Sequence, residues 1–388
     1  MLRPSGYRAD MAAAVRQPDP PSTATAGAEF KFGENNFDLI RLVAASEVAI
    51  RHAVHHLSPE RESGPLFWIL DLIPGVPIFF FLSGFLISRS WERSPSVPSY
   101  ARNRMLRLVP ALWLCTALTL VMLFGTGFLA SVDWEPWKLG VWLVCQSTVF
   151  QFWNPDFLSG FGCGVVNGSL WTISVEIQFY CALVLLYRAL PTLSARRFDA
   201  TIVALVILFG AANQWKFEVQ SALDATLGSE IAGKLFLASF VPWFFMFLLG
   251  VLAQRHAASI VPWVRRYRWA IIGSTAGAII ACKDGLGLAL GNYLPAPLVP
   301  LLGCCVLSLA YSSPGLSHRI LGGNDVSYGV YIYHMPLVNL ALWLGGVGSM
   351  SAIVLTMATT AALSVLSWRL IEQPFLRRKR ASLRTPGS

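Results

Sequence analysis

The sequence predicts an all-α fold: a polytopic helical membrane protein with about ten transmembrane helices plus one re-entrant or interfacial segment. Three observations predict it. The 388-residue chain is 55% hydrophobic and 13% charged, with a mean hydropathy of +0.55, whereas soluble domains carry about a quarter charged residues. Windows of roughly 15–22 apolar residues, such as "LVPALWLCTALTLVMLFGTGFLA" and "SAIVLTMATTAALSVLSWRLI", recur along the chain, each about long enough to cross ~30 Å of hydrocarbon as a helix. The alternating pattern of membrane strands is absent, which sets a β-barrel aside.

Residues 1–34 are rich in Pro, Ala, Ser and Thr and hold no apolar stretch of signal-peptide length, so they read as a disordered cytoplasmic tail. Eleven candidate helices follow, at 36–57, 70–88, 108–129, 138–152, 169–190, 200–214, 233–253, 269–283, 297–312, 325–345 and 350–371. The arginines decide which of them cross. The stretches Arg89 to Arg107, Arg188 to Arg197, Arg255 to Arg268, Arg319, and Arg377 to Arg380 all belong on the inside. With the amino terminus inside, these assignments agree only if 138–152 does not cross. That segment is short and flanked by "DWEPWK" and "FWNPDF", as a re-entrant or interfacial piece would be. Ten crossings then form one transmembrane domain over 35–376, and 377–388 is a basic cytoplasmic tail.

The net charge of +9 is accounted for by these inside loops, so no nucleic-acid partner is expected. The seven cysteines include no CxxC pair and no Cys/His cluster. All but Cys163 lie in apolar stretches, so neither a disulfide framework nor a metal site is expected.

The first helix, "FDLIRLVAASEVAIRHAVHHL" (Phe37 to Leu57), carries more polar groups than lipid tolerates. Positions eleven apart on an α-helix differ by about 20°, so Arg41 and His52 share a face, roughly 16 Å apart along the axis. Asp38 and His55 lie within about 60° of that face. Glu47 and Arg51, four apart, can pair on another side. One side of this helix therefore offers a titratable column to the protein interior. His55 and His56 read as outer-interface residues, and His52 as a functional group.

The order F-D-x-[LI]-R-x(2)-A-x(3)-V-x(3)-H, filled by Phe37, Asp38, Ile40, Arg41, Ala44, Val48 and His52, resembles the opening helix of the acyltransferase family 3 membrane proteins, the O-acyltransferases of the exopolysaccharide and O-antigen acetylase type. Further pieces resemble that family in its own order. They are "GVPIFFFLSGFLIS" with Ser83, "YARNRMLRLVPALW" with Arg104 and Arg107, and "GSLWTISVEIQFY" with Trp171, Glu176 and Tyr180. "SYGVYIYHMPL" follows with Tyr328, Tyr331 and His334, then "SWRLIEQPF" with Glu372. The charged pair Glu47 and Arg51 stands where apolar residues are commoner in the family. The resemblance implies a catalytic role for His52, an inner arginine at Arg41, and a basic cytoplasmic motif at Arg104 and Arg107.

Acyl transfer from a thioester needs a base for the acceptor hydroxyl and a holder for a large anionic donor. An imidazole with an ordinary pKa of about 6.5 suits the first task, which gives His52 the role of general base. Glu176 and Asp38 are candidates to orient it. Arginine forks match phosphate oxygens, so Arg104 and Arg107 are candidates to bind acyl-CoA. Ser83 reads as a nucleophile or as a small-residue packing position. Trp171, Tyr180, Tyr328, Tyr331 and His334 read as substrate-binding or structural. The expected reaction moves an acetyl or other acyl group from acyl-CoA to a hydroxyl of a glycan, lipid-linked sugar or small molecule. No permanently bound cofactor is expected, and the expected location is a bacterial inner membrane with both termini cytoplasmic. The competing expectation is a transporter or exporter, since polar residues inside a bundle also mark substrate pathways.

Overall fold

The computed structural model describes residues 32–228, 230–288 and 291–382. The expected tail over 1–34 falls almost wholly outside these residues, as does the second half of the tail over 377–388. Among the described residues all regular structure is helical. The chain enters α1 (Phe37–Leu57), then the short α2 (Pro65–Asp71), α3 (Gly75–Arg93) and the long α4 (Val97–Gly125). Prolines mark two of these starts, Pro65 and Pro98 standing in the first turn where a missing N–H costs nothing. Next come α5 (Pro136–Gln146), α6 (Trp171–Ala189), α7 (Ala195–Gln214), α8 (Lys216–Leu227) and α9 (Glu230–Ala238). Helices α10 (Phe244–Arg255), α11 (Ala257–Arg266) and α12 (Arg268–Ile280) are parted by single residues. The chain ends through α13 (Val299–Ser312), α14 (Leu316–Leu321), α15 (Ser327–Trp343), α16 (Met350–Ser367) and α17 (Gln373–Ser382).

Four stretches are long and apolar enough to cross a membrane: Pro65–Arg93, Val97–Gly125, Gly168–Ala189 and Met350–Arg377. A fifth forms if α10 and α11, bent by 94° at His256, count as one. Length and composition alone show these four or five spans and not clearly the ten expected, for physical reasons. Helix α1 has the length, but Asp38, Arg41, Glu47 and Arg51 sit within it. The expected span over 233–253 breaks between α9 and α10 at Ser239 to Trp243, around Pro242. Helix α12 gives way to a wider π-turn at Ala281–Gly285. Helices α13 and α15 have 14 and 17 residues, about 21 and 26 Å, short of ~30 Å of hydrocarbon. The segment over 138–152, expected not to cross and not among the ten, is the 11-residue α5, about 16 Å and too short to cross.

Packing explains how α1 keeps its charges. It packs against α3, α13, α15 and α16, and its Glu47 is buried. Its entry is pinned by Asn36, whose backbone N–H donates to Ala310 O at 2.9 Å, whose Nδ2 donates to Ser313 O at 2.8 Å, and whose Oδ1 accepts from Ser317 N at 2.9 Å. Helix α3 in turn lies against α10 with the two backbones in contact. A Cβ on Gly84 would sit 1.9 Å from Phe247 O, and one on Gly250 would sit 2.1 Å from Phe81 O. Only glycine fits these two positions.

Candidate active site

The site begins with a proline. Pro336 lies inside α15 and has no N–H, so the Ile332 carbonyl loses its intrahelical partner. That carbonyl instead accepts from Asn167 Nδ2 at 3.0 Å and from Cys115 Sγ at 3.2 Å, which ties the approach to α6 onto α15. One turn further along α15, Asn339 is fully buried and clamps the preceding loop. It donates to Val165 O and Val166 O, both at 2.9 Å, and accepts from Cys163 N at 2.8 Å. Helix α6 is thereby fixed against the helix that carries His334.

His52 on α1 meets His334 on α15. Their rings stack with centroids 5.1 Å apart, and His52 Nδ1 lies 2.9 Å from His334 Nε2. His334 Nδ1 is 3.2 Å from Val330 O. A carbonyl can only accept, so His334 carries its proton on Nδ1. The neutral ring then presents a bare Nε2, His52 must donate from Nδ1, and His52 Nε2 is left as the bare, proton-accepting nitrogen. His334, read from sequence as substrate-binding or structural, is thus the orienting partner of His52.

The two carboxylates expected beside His52 lie elsewhere. Asp38 pairs with Arg41 at 3.5 Å, near the opposite end of α1. Glu176 Oε1 accepts from Ser83 Oγ at 2.7 Å and from Tyr180 OH at 2.6 Å. Ser83 is therefore a hydrogen-bond donor to Glu176, and the close packing belongs to its neighbour Gly84.

The arginines split into two kinds. Asp325, 7% exposed, accepts from Arg107 at 2.5 Å, from Arg41 at 3.4 Å and from Ser327 Oγ at 2.5 Å. Glu372 adds a carboxylate 4.0 Å from Arg107. Arg41 and Arg107 are thus neutralised from within. Arg104 has no ion pair among the described residues. Its guanidinium lies over the rings of Tyr100 and Tyr180 at 5.9 and 5.8 Å, and its buried Nε has no partner. Asp325 was not singled out from sequence. Its only signal is a carboxylate two places before Ser327, which reads as an ordinary loop residue.

Two cavities result. The first, about 700 Å³, is lined by Arg41, Arg104, Arg107, Ser83, Glu176 and Tyr331, with Tyr180 and Tyr328 also on its wall. The second, about 1020 Å³, is lined by His52, Trp171, Trp243, Phe152, Lys234 and Tyr293. A partition of rings separates them. Phe80, on the first cavity, packs at 6.5 Å from Trp171 and 6.3 Å from Trp243, on the second. Tyr331 reaches His334 at 5.9 Å and is held by a 2.7 Å hydrogen bond between its OH and Thr172 Oγ1. Most of the motif residues therefore converge on one basic chamber, while His52 and Trp171 face a second, aromatic one.

A family model described as an acyltransferase domain matches residues 34–369. The chain belongs to this acyltransferase family. It is 32% identical over 368 residues to nodulation protein 10 of Rhizobium leguminosarum bv. viciae, covering 88% of this chain and 93% of that protein. The O-acetyl transferase of Shigella phage Sf6 is 26% identical, covering 90% and 98%. The exopolysaccharide production protein ExoZ of Rhizobium meliloti strain 1021 is 28% identical, covering 81% and 92%. No solved structure matches the chain. This membrane acyltransferase thus carries most of the motif residues of its sequence on two chambers, one basic and one aromatic.

Proposed function

We propose that this protein is an integral O-acyltransferase that moves an acyl group, acetyl in the simplest case, from acyl-CoA to a hydroxyl of a glycan, with His52 as general base. The hydrogen-bond chain from Val330 O through His334 to His52 carries the reading, because it leaves His52 Nε2 free to accept a proton beside a cavity of about 1020 Å³. The acceptor hydroxyl attacks the thioester carbonyl while His52 Nε2 takes its proton. The C–S bond then breaks, and the leaving thiolate takes that proton from His52 to give free coenzyme A and the ester. The imidazolium formed in between still donates from Nδ1 to His334, which disperses its charge. The aromatic lining of Trp171, Trp243 and Tyr293 suits the apolar faces of sugar rings. Relatives named as an O-acetyl transferase and an exopolysaccharide production protein support acetyl transfer to a glycan.

Arg104 holds the donor from the cytoplasmic side, and the pantetheine arm passes the ring partition to reach His52. The inside arginines favour ten crossings in a bacterial cytoplasmic membrane with both termini cytoplasmic. The test is release of free coenzyme A by the purified protein and by His52→Ala, with and without extracted envelope glycans. Acceptor-dependent release by the wild type alone is expected. Equal release by both proteins removes His52 from the mechanism. Absence of donor binding turns the reading towards a glycan exporter.

A further inference from the structure

We infer that a separate polar cavity at the carboxyl end of α3 and the start of α4 is the seat of the phosphorylated nucleotide end of coenzyme A; this rests on the acyl-CoA reading above. The cavity measures about 1000 Å³ and is lined by Arg89, Arg93, Asn103, Tyr100, Phe32 and three serines.

Its charge has no acidic partner among the described residues. Among the described residues neither Arg89 nor Arg93 takes part in an ion pair. The acid between them, Glu92, is engaged by Tyr187 at 2.7 Å and Arg255 at 3.3 Å. Two adjacent guanidinium groups without a carboxylate are a site for an anion with several oxygens. The rings beside the cavity hold one of these arginines in place. The Arg89 guanidinium lies 3.6 Å over the Phe32 ring, which stacks on Phe85 with centroids 5.3 Å apart and planes within 7°. Asn103, Ser90, Ser94 and Ser99 add hydrogen-bonding groups suited to a base and a ribose.

Position ties the cavity to the site already described. Tyr100 lines it, and Arg104, over the rings of both Tyr100 and Tyr180, lines the first chamber. A ligand lying across this junction presents a phosphate monoester to Arg89 and Arg93, a diphosphate to Arg104, and a long arm to Ser83, Glu176 and Tyr331. Coenzyme A has these groups in this order. An anionic lipid headgroup shares only the phosphate.

The test compares kcat/KM for acetyl-CoA and acetyl-dephospho-CoA, with envelope glycan as acceptor, in wild type, Arg89→Ala, Arg93→Ala and the double variant. The wild type is expected to prefer the phosphorylated donor by roughly ten- to a hundredfold, through KM. That ratio falls in each single variant and approaches one in the double variant. Arg93→Ala, at an exposed position, keeps the test readable if Arg89→Ala fails to fold. A wild type without preference, or a preference intact in the double variant, overturns the site. Equal losses with both donors, restored by anionic vesicles, assign the arginines to lipid instead. A wild type that consumes neither thioester overturns the acyl-CoA reading and this site with it.

Discussion

In the proposed mechanism His334 serves His52 as a carboxylate serves the base of a hydrolase triad, but with a neutral ring whose own tautomer is set by a carbonyl. Orientation, rather than charge, is what it supplies. Replacing His334 by Leu removes the acceptor for His52 Nδ1–H and frees the ring to turn; we expect kcat to fall about 10- to 100-fold with little change in KM for the donor. His334→Gln, whose amide oxygen can still accept, should keep more activity than His334→Leu, and equal rates for the two variants would exclude a positioning role. The arginines call for the opposite kind of test. Arg107→Ala leaves Asp325 buried without its 2.5 Å partner, a loss of about 3–5 kcal/mol, read as a lower Tm in detergent and restored in part by adding Asp325→Asn. Arg104→Ala breaks no ion pair among the described residues and should raise the donor KM at unchanged Tm. Much of this was legible in sequence. Spacing by eleven put Arg41 and His52 on one face. It could not separate partners along the axis: Asp38 shares that face but lies fourteen residues from His52, about 21 Å away. Asp325 escaped notice because a loop carboxylate gives no sign of being buried.

At the scale of elements, apolar runs located most helices and missed where they break. Apolar runs do not record the break around Pro242, because α9 and α10 are about equally apolar, and they end before the bend of 94° at His256 because α11 is far more polar than α10. The α3–α10 crossing was half visible. The Ser83–Gly84 pair raised a choice between nucleophile and packing position, and Gly84 with Gly250 places the packing there. The contact is backbone to backbone, so the neighbours cannot yield by changing rotamer. Gly250→Ala drives a methyl to 2.1 Å from Phe81 O, and overpacking of this kind costs about 1–3 kcal/mol. Since α3 carries Ser83 into the first chamber, both Tm and kcat should fall together. A variant with wild-type Tm would mean that the helices separate freely.

At the scale of the whole molecule, two of the charge networks among the described residues lie one at each end of α1. At its start, Asp38, Arg41, Arg107, Asp325 and Glu372 join α1, α4, α15 and the turn after α16. Towards its end, Arg51 pairs with Glu47 at 2.7 Å and with Asp71 at 2.9 Å, and Lys283 also pairs with Asp71. Each network balances most of its own charge, as groups buried in a bundle must. They also set a direction. Arg41 meets Asp325 just before α15 begins and His52 meets His334 within it, so α1 and α15 run parallel, from the basic chamber towards the His pair. Asn339 lies five residues beyond His334 and holds the loop bearing Cys163, which is exposed. If the arginines face the cytoplasm, Cys163 must face outside. In a variant that keeps Cys163 and replaces the other six cysteines, a membrane-impermeant maleimide should label intact cells. Labelling only after permeabilisation would invert the molecule, put His52 on the side where acyl-CoA is made, and remove the need for the pantetheine arm to pass the rings of Phe80, Trp171 and Tyr331.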